Sequence, residues 1–123
     1  MSSEIKYFQK PICYLQASDF DSSGNITNKN IPRNIPVVIM ALSNHCGYCT
    51  VAKPAFDEFA NSYKEEVFCA CIQADGNEPG EAELAGMMQI SGFPEYILYR
   101  NGKRVAKEIT GRDVQQLKEY ANI

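Results

Sequence analysis

Residues 43–50 read Ser-Asn-His-Cys-Gly-Tyr-Cys-Thr, and the rest of the chain is organised around this stretch. An entirely apolar run, residues 37–42, leads into it, and a segment with helical periodicity leads out of it. Cys46 and Cys49 are therefore predicted to lie where a strand ends and a helix begins. Because the free amides and the dipole of a helix N-terminus favour negative charge, Cys46 is expected to be the more acidic thiol. A low-pKa thiolate with a second thiol three residues on can attack a disulfide and then be released by its neighbour, which is dithiol–disulfide exchange.

Length and composition indicate a globular domain. The 123 residues, 45% apolar and 22% charged, suffice for one domain with a single core, which we assign to residues 1–123. A net charge of −3 gives no electrostatic basis for binding nucleic acid or an anionic membrane, and no apolar run approaches the roughly 20 residues of a membrane span. The single histidine, His45, argues against a multi-histidine metal site. We therefore expect no cofactor, no metal, no nucleic-acid or membrane partner, and a monomer.

The cysteines and the N-terminus bear on the cellular compartment. Residues 1–6 lack the basic and apolar regions of a secretory signal. Five cysteines are an odd number, and their spacing is not that of a small disulfide-stapled domain. A reducing, cytoplasmic location is expected, and there a CxxC is more often catalytic or metal-binding than structural.

Periodicity along the chain predicts alternating strands and helices. Residues 7–8 and 12–15 read as one early strand interrupted at Pro11, or as two short strands, and residues 18–33 read as a polar loop with one helical turn. Residues 1–35 thus hold an N-terminal strand and a variable polar loop. The further elements are a buried parallel strand at 36–42, an amphipathic helix at 52–63 that contains Pro54, a strand at 67–72, a loop at 75–80, a helix at 81–88, a hairpin of strands 95–100 and 103–110 turning at Asn101-Gly102, and a last helix capped by Asp113. This order predicts a mixed α/β sheet with helices on both faces.

The motifs in combination resemble those of the thioredoxin family. In chain order they are the CxxC of Cys46-Gly47-Tyr48-Cys49, Pro54 five residues after the second cysteine, Gly92-Phe93-Pro94 before a strand, the hairpin Arg100-Asn101-Gly102-Lys103, and Gly111 ahead of the final helix. The resemblance covers roughly residues 37–123. It implies the thioredoxin fold, an α/β fold with a central mixed β-sheet flanked by helices on both faces.

The resemblance also implies a function and a set of site residues. Cys46 would be the nucleophile and Cys49 the resolving cysteine of a thiol–disulfide oxidoreductase that acts on protein disulfides and is re-reduced by a reductase or a small thiol. In this family the proline corresponding to Pro94 is cis and its loop packs against the CxxC, although the residues alone also allow a trans proline that starts a strand. The substrate groove would include His45, Gly47, Tyr48, Phe93 and Pro94.

The sequence departs from the family at several positions. Met40 stands where thioredoxins carry a buried Asp, His45 replaces the usual Trp, and the partner lysine of that Asp is replaced near Cys71. Deprotonation of Cys49 would then need water or another group. His45 is either a proton shuttle that also favours the Cys46 thiolate, or a solvated loop residue. Glu95 would repel an acidic tripeptide, which disfavours a glutaredoxin.

Two alternative functions remain open from the sequence. Cys69 and Cys71 alternate along a predicted strand and share one face, so a four-cysteine zinc site with Cys46 and Cys49 is conceivable, as is an auxiliary thiol role for Cys71. Their apolar neighbours favour the simpler interpretation that they, like Cys13, are core residues. The second alternative is a redox-inactive interaction module that keeps the fold and uses the groove only to bind a partner.

Overall fold

The computed structural model describes residues 8–43, 46–75 and 81–123, without the side chains of residues 81 and 82. Five strands and three α-helices are assigned in this part of the chain. They are β1 (Cys13–Tyr14), β2 (Val37–Leu42), α1 (Gly47–Ser62), β3 (Phe68–Gln73), α2 (Glu81–Met87), β4 (Glu95–Arg100), β5 (Lys103–Val105) and α3 (Val114–Ala121), with a short 3₁₀ helix at Ala17–Asp19. No helix among the described residues is both long enough and apolar enough to cross a membrane.

The five strands form one mixed sheet in the order β1-β3-β2-β4-β5. β1 and β2 run parallel to β3, whereas β4 runs antiparallel to both β2 and β5. The predicted mixed α/β sheet is confirmed. The central strand was expected to be parallel, and it is parallel to one neighbour only.

β2 lies at the centre of the sheet and is buried along its whole length. Alternate residues face opposite sides, as strand geometry requires. Val38, Met40 and Leu42 belong to the apolar cluster that contains residues of α1 and α3. The remaining three residues of β2 belong to the cluster that contains residues of α2. The run of six apolar residues therefore exists because both faces of this strand are covered, as predicted.

The hairpin between β4 and β5 turns at Asn101-Gly102, as predicted. Both turn residues have positive φ, 54° and 77°, which is the combination that a two-residue type I′ turn requires. The returning strand, however, ends at Val105 rather than at residue 110. The chain leaves the sheet there because Ile109 packs into the α1/α3 cluster and Lys107 reaches the C-terminal end of α3.

The N-terminal region differs more from expectation. Within the described part of this region, residues 8–35, the stretch that pairs as a strand is Cys13–Tyr14, because a turn at Lys10 and Pro11 separates it from Phe8. Phe8 is buried against Phe56, with ring centroids 5.5 Å apart, so its apolar character reflects core packing outside a strand. Tyr7 and part of the predicted 75–80 loop lie outside the described residues.

The polar loop predicted at residues 18–33 also contributes to the core. It contains the predicted helical turn, shifted slightly toward the N-terminus as the 3₁₀ helix at Ala17–Asp19. Phe20 and Ile26 form an isolated bridge and are both buried in the α2-side cluster. The loop thus covers one face of the sheet.

Candidate active site

The first candidate cysteine lies where the prediction put it, at the start of a helix. Cys46 is the N-cap of α1, with extended backbone angles, and Gly47 is the first helical residue. The backbone amide of Cys46 donates a hydrogen bond to the carbonyl of Ser43, one residue beyond β2. The strand therefore delivers the thiol directly to the positive end of the helix. His45 lies outside the described residues.

The Cys46 sulfur takes part in two hydrogen bonds with main-chain groups. It accepts one from the backbone N–H of Cys49, at 3.3 Å, and its thiol donates one to the carbonyl oxygen of Phe93, also at 3.3 Å. The first bond takes up one of the free amides of the helix N-terminus, as an N-cap side chain does. The second connects the CxxC to the loop before β4.

These surroundings favour the thiolate form of Cys46. Its pKa is lowered from the ordinary value by the side-chain hydrogen bond with Cys49, more weakly by the backbone amides of Cys49 and Tyr48, and further by the positive charge of Arg112. Partial desolvation acts in the opposite direction without cancelling the effect. The predicted order of acidity is therefore the one that the local geometry produces.

The second cysteine has the opposite environment. Cys49 is fully buried within the α1/α3 cluster. Burial, and then the hydrogen bond with Cys46, raise the pKa of the Cys49 thiol to about 11. Cys46 is thus the thiol that more readily forms the attacking thiolate, whereas Cys49 stays protonated in the reduced protein.

The base of the site is apolar. Met40 is fully buried in the same cluster as Cys49 and Cys71. Apart from tyrosines and cysteines, the buried polar side chain among the described residues is Gln73, on β3, so no described carboxylate is buried beneath the thiols. The structure thus offers no described buried acid to take the proton from Cys49.

The loop before β4 forms one wall of the site. Pro94 is buried, and the Phe93–Pro94 peptide bond is cis. Phe93 is half-buried and packs against both apolar clusters, while its carbonyl oxygen contacts the Cys46 thiol. These two predicted groove residues are therefore brought together with the CxxC.

The exposed surface next to the thiols, here called the open side, is apolar among the described residues. Tyr48 is 70% exposed and Val51 is 79% exposed on the first turns of α1, and Gly47 is exposed between the cysteines. The motif singled out Tyr48 and Gly47, but not Val51. The exposure of Val51 could have been predicted from the sequence, because an apolar residue that lies off the buried stripe of an amphipathic helix is expected to be exposed.

Arg112 is the site residue that sequence reasoning missed. Its guanidinium carbon lies 5.8 Å from the centroid of the Tyr48 ring. The preceding residue, Gly111, leaves room for the cap of α3, since a Cβ at that position would lie 1.9 Å from Oε1 of Gln116, the side chain that completes the capping box with Asp113. Arg112 thus lies between a tightly packed helix cap and the start of α1.

A groove extends away from the thiols along this wall. Its volume is about 610 Å³. The lining residues are Pro94, Glu95, Tyr96, Arg104, Lys107, Glu108, Ile109, Thr110, Gly111 and Arg112. Two of its lining residues lie near the thiols: Pro94, which follows the Phe93 whose carbonyl contacts Cys46, and Arg112, whose positive charge lowers the Cys46 pKa.

The other three cysteines do not assemble with the CxxC into a metal site. Cys69 and Cys71 are buried on the same face of β3, as predicted, and burial raises the pKa of Cys69 to about 12. Within residues 8–43, 46–75 and 81–123, no three Cys, His, Asp or Glu side chains are arranged to hold a metal ion, so the proposed four-cysteine zinc site is not formed. Cys13 was expected in the core and is exposed, because it lies on a short edge strand.

A mixed five-stranded sheet, helices on both faces and a cysteine pair at the start of the first helix define the thioredoxin-fold class of proteins. The chain belongs to the thioredoxin family: the family model described as thioredoxin matches residues 13–122. Membership supports a disulfide oxidoreductase at this general level.

Individual relatives agree with this assignment. The thioredoxin-like protein 453L of Invertebrate iridescent virus 6 is 41% identical over 132 residues, covering 94% of this chain and 95% of the viral protein. Thioredoxin-1 of Schizosaccharomyces pombe is 30% identical over 81 residues, covering 66% of this chain and 73% of the yeast protein. Among solved structures, human ERp44 form I superposes with a TM-score of 0.73 at 21% identity, covering 95% of this chain and 30% of ERp44. This last likeness concerns the fold alone.

Proposed function

We propose that this protein is a cytoplasmic thiol–disulfide oxidoreductase that acts on protein disulfides through Cys46 and Cys49. The observation that carries the proposal is the contrast between the two thiols. Cys46 caps α1, receives an amide hydrogen bond and has a lowered pKa, whereas Cys49 is buried and has a raised pKa. Such a pair performs exchange in a fixed order.

In the first step the Cys46 thiolate attacks one sulfur of a substrate disulfide. The substrate S–S bond breaks, a mixed disulfide with Cys46 forms, and the leaving sulfur takes up a proton. In the second step Cys49, after losing its proton, attacks the Cys46 sulfur and releases the second substrate thiol. The substrate gains two electrons and two protons, and the protein ends with a Cys46–Cys49 disulfide. A reductase or a small thiol must then reduce it.

The buried environment makes the second step the more demanding one. With Met40 beneath the site and no described buried carboxylate, the proton of Cys49 has to leave toward the open side. Water, a group of the bound substrate, or His45, the shuttle candidate outside the described residues, is then the acceptor. We therefore propose that release from the mixed disulfide limits turnover.

The surface around Cys46 suits a polypeptide substrate. Tyr48 and Val51 expose apolar area near the thiol, and the carbonyl of Phe93 contacts the thiol directly. Exposed apolar side chains clustered at one place favour contact with a partner. A protein segment that carries a disulfide could bury them while its sulfur approaches Cys46.

Trapping tests the assigned roles. Cys49→Ser leaves the attack intact and removes resolution, so it should accumulate a mixed disulfide between Cys46 and substrate proteins. Cys46→Ser is the matched control, since it also removes one thiol of the pair but leaves only the buried, high-pKa one. Equal trapping by the two variants, read on non-reducing gels and by mass spectrometry, would show that the roles are assigned wrongly.

One observation favours the alternative of a redox-inactive binding module. Met40 stands at the position of the family's proton-accepting Asp, and an apolar residue there cannot assist exchange. Cys46→Ala separates the two functions, because a binding module would keep its partner when this thiol is removed. Loss of disulfide reduction in Cys46→Ala, with the fold unchanged, supports the oxidoreductase.

A further inference from the structure

Arg112 lies close enough to Cys46 and Cys49 for its charge to lower the pKa of both thiols, and among the described residues this charge has no anionic partner. Its guanidinium lies over the Tyr48 ring, 5.8 Å from the centroid, and the residue is exposed. In the part of the chain that the structure describes, Arg112 forms neither an ion pair nor a hydrogen bond. Contact with an aromatic face orients a guanidinium while leaving its N–H donors available.

The other charged residues of the groove are largely occupied. Arg104 pairs with Glu95 at 3.9 Å, and the Lys107 ammonium donates to the carbonyls of Glu119 and Tyr120, at 2.9 and 3.1 Å. The repulsion of acidic ligands that Glu95 was expected to cause is thus offset by Arg104. Two further carboxylates lie nearby, Glu108 in the groove wall and Asp113, which accepts the Gln116 amide as the cap of α3. Among the described residues that line the groove, Arg112 is therefore the cation near the thiols whose donors are free for a ligand.

The wall of the groove can also receive an extended chain. Residues 107–112 line it and form no helix or strand. Across the described ranges, no backbone–backbone hydrogen bond involves these residues. Their amides and carbonyls are therefore available to a polypeptide that lies along the groove.

On the basis of the oxidoreductase function proposed above, we propose that Arg112 selects substrates that carry an Asp or Glu close to the cysteine that Cys46 attacks. The groove brings the substrate backbone past Pro94 while the guanidinium binds the acidic side chain. A carboxylate and a guanidinium in contact at an exposed site favour association by about three- to tenfold. Arg112 touches the substrate in this scheme and acts as a specificity-determining residue.

A pair of disulfide-linked peptides tests this proposal. They differ only in having Glu or Gln next to the target cysteine, and kcat/KM for reduction of each is measured. The wild-type protein should favour the Glu peptide by about three- to tenfold, and the preference should shrink at high salt. Arg112→Gln should bring the ratio close to one, and Arg112→Glu should reverse it.

The ratio of the two rates separates selection from general reactivity. Loss of the Arg112 charge also lowers the thiolate content of Cys46, but it does so for both peptides alike. Lys118→Gln is the matched control, because it removes another cation that covers a tyrosine ring, that of Tyr63 at 4.8 Å, outside the groove. This variant should keep the wild-type ratio.

The outcomes are distinguishable. Equal reduction of the two peptides by the wild-type protein, or a preference that survives in Arg112→Gln, would overturn the assignment of Arg112 and leave the oxidoreductase function standing. Failure of the wild-type protein to reduce either peptide would overturn the proposed function and this assignment together.

Discussion

The pH dependence of the two chemical steps should differ, because the two thiols differ in acidity. Cys46 has a lowered pKa, so its attack should level off below the ordinary cysteine pKa. In the reduced protein Cys49 has a pKa of about 11, chiefly through burial, and because burial does not depend on the Cys46 thiol we expect a raised pKa in the mixed disulfide as well. At pH 7 only about one Cys49 in ten thousand is then a thiolate. Resolution should accelerate roughly tenfold per pH unit between about pH 6 and pH 9.

Rapid mixing with 5,5′-dithiobis(2-nitrobenzoate) resolves the steps. Attack by Cys46 releases a first equivalent of the coloured thiolate, and resolution by Cys49 releases a second. Because Cys13 is exposed and would also react, the measurement is made in a Cys13→Ser background. Cys49→Ser in that background should show the first phase alone, which assigns that phase to Cys46.

Two results would refute this reasoning. A second phase that is independent of pH would mean that Cys49 is deprotonated by a group held within the protein. A second phase faster than the first at pH 7 would mean that resolution does not limit the reaction. Either result would contradict the inference that the apolar base of the site leaves proton removal to the open side.

Two further predictions concern stability. Gly111→Ala should lower the free energy of unfolding by about 1–2 kcal/mol, because the new Cβ displaces Gln116 from the capping box. Gly86→Ala should raise the free energy of unfolding by about 0.5–1 kcal/mol, because no atom lies within 4 Å of the new Cβ and alanine favours a helix over glycine. Urea unfolding of both variants measures these changes. The buried groups with raised pKa are Cys49, Cys69, Tyr99 and Tyr120. The fold holds these groups protonated, so their contribution to the free energy of unfolding should be fully present below about pH 9 and should be lost as the pH rises toward 12. Urea unfolding midpoints at about pH 8 and about pH 10.5 should show this loss without a change in cooperativity.

Much of the fold could be predicted because local signals agreed with the tertiary structure. The β2 run is apolar at every position because both its faces are buried, and Asn101-Gly102 occurs where both residues need positive φ. The β5 strand was predicted too long, since its alternation continues past Val105 although the chain departs to pack Ile109. Cys13 was misplaced because an apolar neighbourhood in sequence does not show that a strand lies at the sheet edge.

The site residues, too, could be predicted from the sequence only where a local motif marks them. The cysteines and Pro94 belong to compact motifs, and the acidity of Cys46 follows from its place before a helix. Arg112 could not be found in this way, because its contact with Tyr48 joins the start of α1 to the segment before α3. Nothing local in the sequence marks a contact between residues 64 positions apart.

The apolar base beneath the thiols has a consequence for how long this protein stays attached to a target. If the proton of Cys49 can leave only through the open face, a target that covers that face well slows its own release. Residence time would then depend on the fit of each target over Tyr48 and Val51 as much as on the strength of its disulfide. Snugly fitting proteins would be held as long-lived covalent adducts, and loosely fitting ones would turn over quickly.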